Sequence, residues 1–153
     1  MALVEVFDTD TASPGTPEFD AQPRLVNLSA RTQVGTGENI LIAGFIINGT
    51  TPKRVMIRGT GPTLKNFGVG GVLADPQLKL FSGETLLAQN DNWQSSSNVA
   101  DIVQVRGDKL GDYTLDPKDA VLVVTLQPGA YTAQISGVND TTGVALIEVN
   151  DLQ

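Results

Sequence analysis

Apolar residues recur along the chain in short runs, many of them alternating with polar positions, and Gly, Pro, Asn or Asp separates one run from the next. Nine segments read as strands on this pattern: 2–8, 24–34, 40–47, 53–59, 77–81, 85–89, 120–126, 130–136 and 144–150. Tyr131, Ala133 and Ile135 alternate with Thr132, Gln134 and Ser136, as in a strand covered on one face only. Segment 40–47 and the run from Val121 to Val124 are apolar on both faces and are expected at sheet centres. Only 98–105 reads as helical, with Asn98 as N-cap and Asp101 in the first turn. Nine closely spaced strands and at most one short helix predict an all-β fold, an antiparallel β-sandwich of jelly-roll or Ig-like type.

The strand pattern is interrupted early. Segment 9–23 carries Pro14, Gly15, Pro17 and Pro23 with Asp10, Glu18 and Asp20, and no Lys or Arg precedes Arg24. It reads as a flexible acidic linker. The expected organisation is an N-terminal strand within residues 1–10, a linker over 11–23 and a β-sandwich domain over 24–153.

A search for internal similarity gives the isolated first strand a meaning. Ala2-Leu3-Val4-Glu5-Val6-Phe7-Asp8 matches Ala145-Leu146-Ile147-Glu148-Val149-Asn150-Asp151 at five of seven positions, an offset of 145 minus 2, or 143 residues. In each copy Ala, Val or Ile, and Val share one strand face, while Leu, Glu, and Phe or Asn share the other. Chance similarity between strands is the plain alternative; a tandem period is the sharper one. Folded back, the front copy would pair within its own domain. Reaching out across the linker, it would add to a neighbour's sheet edge and build a head-to-tail filament.

Composition narrows the chemistry. The 153 residues suit one domain, and they include no His and no Cys, which removes the usual neutral-pH proton shuttle, the thiolate nucleophile and the common zinc ligands. An enzyme is not expected. A net charge of -7 has the wrong sign for a nucleic-acid binder. The longest apolar run, 40–47, is too short to span a bilayer, so no membrane insertion is expected. The first residues lack the basic and apolar regions of a secretory signal. A body poor in Lys and rich in Thr, Gly, Asn and Asp nevertheless leans towards an exported protein, extracellular or at the cell surface, whose signal lies elsewhere.

Few residues suggest a site. Asn90, Asp91 and Asn92 cluster oxygens beside Trp93 and could contribute to a calcium site, although an Asx-rich turn beside a core Trp is the preferred reading. No other cofactor is expected. Asp108, Asp112, Asp116 and Asp119 read as solvated loop charge. Arg54 and Arg58 share a strand face and could bind a carboxylated ligand, with cross-sheet pairing preferred. The glycines at 35–37 and 59–61 lack the Gly-Lys-Ser/Thr ending of a phosphate loop and read as turns.

Two resemblances rest on specific segments. Asp75 to Phe81, Leu87 to Asn92, Pro128 to Ala133 and Gly143 to Val149 resemble the bacterial pre-peptidase C-terminal (PPC) domain, which implies a secreted β-sandwich attached to exported enzymes and surface proteins. Arg24 to Arg31, Val34 to Gly37, Arg54 to Arg58 and Gly61 to Leu64 resemble repeat units of large bacterial cell-surface and exported proteins. Neither resemblance implies a catalytic residue. The resulting expectation is an extracellular structural protein that polymerises with itself, its assembly strand being Ala2, Leu3, Val4, Glu5, Val6 and Phe7. The alternative is a monomeric secreted accessory or carbohydrate-binding module with a glycan partner.

Overall fold

A computed structural model describes residues 27–109 and 114–152. The expected strand at 2–8 and the acidic linker lie outside these residues. The described chain forms strands β1 (Asn27–Val34), β2 (Leu41–Ile47), β3 (Lys53–Thr60), β4 (Pro76–Ser82), β5 (Thr85–Asn90), β6 (Ala120–Leu126), β7 (Gly129–Gly137) and β8 (Gly143–Asp151). One helix, α1 (Val99–Lys109), lies between β5 and β6.

The strands form two antiparallel four-stranded sheets, ordered β1-β8-β3-β6 and β2-β7-β4-β5. Strand 1 pairs with 8, 2 with 7, 3 with 6 and 4 with 5, so the chain is a ribbon doubled on itself and rolled into two layers. This is the eight-stranded jelly roll. The core between the layers joins Val34, Leu41, Val55, Ile57, Leu78, Leu80, Leu122, Ile135 and Ile147. Alternation explains most of it: in β7, Tyr131, Ala133 and Ile135 are buried and the residues between them are half-buried.

The two runs expected at sheet centres are edge strands. Among the described residues β2 pairs only with β7, and β6 only with β3. The second face of β6 is buried by another element: Val121 and Val123 pack with Met56 of β3 beneath Trp93, Ile102, Val105 and Leu115 in a second apolar cluster. In β2 the outward face carries Ile42, half-buried, and Ile46, which is 57% exposed. Apolar residues on both faces of a strand therefore had two different origins here, and neither was flanking strands.

The turns follow their residues. Gly37, Gly49 and Gly83 adopt positive φ between consecutive strands. Gly61 is required by close approach, because a Cβ there would lie 2.2 Å from the Leu73 carbonyl oxygen.

Candidate functional site

The layers stack with β1 against β2, β8 against β7, β3 against β4 and β6 against β5. Two seams result, one between edge strands β1 and β2 and one between β5 and β6. An edge strand presents unpaired backbone groups and is a template for another strand unless it is blocked.

The β6 edge is blocked. The Trp93 N–H donates to the Asp119 carbonyl at 2.9 Å, the Val121 N–H donates to Asn90 Oδ1 at 3.0 Å, and Asn98 Nδ2 donates to the Val123 carbonyl at 2.8 Å. Residues 119, 121 and 123 point the same edge outward, so three successive outward positions have partners. Asn98, expected to cap the helix, holds this edge instead, with its Oδ1 accepting from Ser96 Oγ at 2.6 Å.

The calcium candidates sit at this seam. Asn90 is turned inward: its Oδ1 accepts from Val121 and its Nδ2 donates to the Asn92 carbonyl at 3.0 Å. The same carbonyl accepts from Ser95 Oγ at 2.7 Å. Asp91 and Asn92 are half-buried beside it. The Asn90 oxygen thus already has a protein donor, and among the described residues no three acidic, His or Cys side chains converge. Trp93 is buried in the second cluster, with Nε1 donating to the Asp116 carbonyl at 2.9 Å. Beside this turn lies a cleft of about 440 Å³, lined by polar residues including Gln77, Gln89, Asp91, Ser96 and Asn98.

The β1/β2 seam is apolar and more open. Leu28, Ala30 and Thr32 of β1 alternate inward yet remain half-buried. With Leu41, Ile42 and Ala43 of β2, and with Arg31, they line a cleft of about 80 Å³. The solvent face of β1, by contrast, is polar: Asn27, Ser29, Arg31 and Gln33 are exposed.

The assembly strand Ala2 to Phe7 lies outside the described residues, but its sequence copy is β8. There Ala145, Ile147 and Val149 point into the core, while Leu146 and Glu148 are half-buried on the other face. β8 is bonded on both sides, to β1 and to β3.

Two charged residues are more buried than the sequence suggested, and one of them, Arg58, makes the cross-sheet pairing that was preferred for it. Asp119, read as solvated loop charge, is fully buried: its carboxylate accepts from the Gly61 N–H at 2.8 Å, from Thr63 Oγ1, and from the Asp116 N–H at 3.2 Å. Burial pushes its carboxyl up from the ordinary value, against these hydrogen bonds, which pull it down. It ties the loop before β6 to the turn after β3. Asp112 lies outside the described residues. Arg58 is buried and paired with Glu148, its direct neighbour across the β3/β8 ladder. Burial lowers the guanidinium from its ordinary value and Glu148 opposes that shift. Arg54, expected to share its role, reaches Asp101 of α1 at 3.0 Å on the surface. A fully buried Asp looks like any other Asp in a loop; only its position just before an apolar strand start, at Ala120, could have signalled it.

No family profile and no curated protein matches the chain. Among solved structures, the pre-peptidase C-terminal domain of a collagenase from Bacillus anthracis is similar over 82% of this chain and 90% of that one, with 11% sequence identity and a TM-score of 0.48.

Proposed function

We propose that the protein is an extracellular structural subunit that assembles head to tail, residues 2–7 of one copy adding as a strand to the sheet edge of the next. The carrying observation is the pairing of sequence and structure at β8: a seven-residue stretch near the front repeats a strand that sits bonded on both sides inside a jelly roll. A segment with that face pattern is suited to strand addition, in which backbone bonds give affinity and alternate side chains set register. Because donor and acceptor are different surfaces, the contact is heterologous and propagates as a filament unless a ring closes. The exported setting is supported by the composition, low in Lys and rich in Thr, Gly, Asn and Asp.

Negative-stain microscopy and sedimentation velocity of the purified chain test the reading. Filaments or a mass ladder are expected, and they should vanish when residues 1–10 are removed. A single monomer boundary at high concentration, the same with and without those residues, would sink it.

A carbohydrate-binding module is the second reading, favoured by the polar cleft beside β5. Among the described residues it would bind through amides and hydroxyls, because Trp93 and Tyr131 are buried and unable to form a sugar-stacking platform; Tyr113 lies outside the described residues. Binding on a glycan array, lost on substitution of Gln89, is its test.

A further inference from the structure

The assembly reading leaves open which edge accepts the incoming strand, and the four edges differ in chemistry. We infer that the acceptor is the edge of β2, and that residues 2–7 of a second copy lie along it and extend the sheet β2-β7-β4-β5 to five strands; this rests on the assembly reading above.

The other three edges match less well. The outward backbone groups of β6 are engaged by Asn90, Trp93 and Asn98. β5 exposes Leu86 and Leu87 at its turn end, but its other half, Gln89 and Asn90, borders the cleft with Gln77, Asp91 and Asn98 and lacks the apolar spacing of four that Leu3 and Phe7 need. On β1 the solvent-side neighbours would be Ser29, Arg31 and Gln33, which already lie along Leu146 and Glu148 of β8 and offer Phe7, the residue that departs from the β8 copy, no apolar partner.

The β2 edge matches on both faces. On its solvent face Ile42 and Ile46 stand four apart around Gly44, the same spacing at which Leu3 and Phe7 stand around Glu5. With Glu5 opposite Gly44, the two apolar residues of each strand meet in cross-strand pairs, in either strand direction. Gly44 has nothing within 4 Å of where a Cβ would be, which leaves room for the Glu5 stem. On the core face, Ala2, Val4 and Val6 have the pattern that β8 buries as Ala145, Ile147 and Val149. They would cover the half-buried Leu28, Ala30 and Thr32 of β1. Residues 9–26 can span roughly 60 Å when extended, enough to reach a neighbouring sandwich.

The absence of native cysteine makes cross-linking a clean test. Glu5→Cys and Gly44→Cys are introduced in separate chains, which are then mixed and oxidised; Ile46→Lys blocks the proposed edge, and Leu87→Lys places the same charge on the exposed part of β5. A disulfide-linked heterodimer, loss of assembly in Ile46→Lys with an unchanged melting temperature, and retained assembly in Leu87→Lys are expected. Wild-type assembly that persists in Ile46→Lys without a cross-link overturns the β2 edge and leaves the assembly reading standing. No wild-type assembly, with the disulfide forming only within one chain carrying both cysteines, overturns the intermolecular reading itself.

Discussion

The side-chain oxygen of Asn90 accepts a hydrogen bond from the backbone N–H of Val121 at 3.0 Å, across the seam between the two sheets. One residue therefore closes a position on the β6 edge that would otherwise be open to another strand. Asn90→Ala should leave that buried N–H without a partner and cost about 1–3 kcal/mol of stability. Urea denaturation checks this. The same variant should aggregate more readily, because the edge is uncovered.

The engagement of Asn90 also bears on calcium. Asn90 Oδ1 is turned inward with one lone pair taken by the Val121 N–H, and no three acidic side chains converge beside it among the described residues, so the melting temperature should be the same in EDTA and in millimolar calcium. A rise with calcium would show ion binding through linkage and place Asp91 as its first ligand to test.

Asp119 makes a pH prediction with a definite sign. Its folded-state carboxyl is raised above the ordinary value of 3.8, so the folded chain holds this proton more tightly than the unfolded chain does. The contribution of this titration is fully present below 3.8 and is lost as pH rises through the raised value. Asp119→Asn cannot titrate. The stability of the parent relative to Asp119→Asn should therefore decline as pH rises from the acid side; a difference that grows with pH would contradict the buried, desolvated site.

Arg58 and Glu148 are opposite neighbours in sheet β1-β8-β3-β6. Removing one partner strands the other, so Arg58→Met should cost about 3–5 kcal/mol, while Arg58→Met with Glu148→Leu should recover much of the loss. A double-mutant cycle in denaturant measures the coupling.

For assembly, Val4→Asp introduces a charge on the face proposed to be buried against the acceptor. It should weaken the contact by roughly 2–4 kcal/mol and abolish polymer while leaving the melting temperature of the sandwich unchanged. A collapse of folding instead would show that the strand belongs to its own domain.

Element positions were largely legible, because period-two alternation and turn residues act locally. The expected 130–136 and observed Gly129–Gly137 differ by one residue at each end, and the helix expected over 98–105 occupies Val99–Lys109. Pairing order was not legible. Val121 and Val123 are apolar on their outer side because α1 covers them, whereas Ile46 is apolar on its outer side and uncovered; a single sequence writes both as the same run. Asp119 was hidden for a related reason, since its partners Gly61 and Thr63 are distant in the chain and are brought together only by the fold, whereas cross-sheet pairing of Arg58 was readable from its strand position though its partner Glu148 was not. That the Asn90 amide would serve a strand edge was not legible either, because Val121 is distant in the chain.

The doubled-ribbon topology also sets a timetable. Asn27 lies opposite Asn150, so the first described strand of the sandwich waits for the last before it gains a neighbour in its own sheet. Such long-range pairing makes folding slow, in the millisecond to second range typical of all-β domains. During synthesis, β1 and β3 are both complete while the strand that joins them has not been made. The sheet β1-β8-β3-β6 cannot close until β8 emerges, so its last strand completes both of its inner ladders at once.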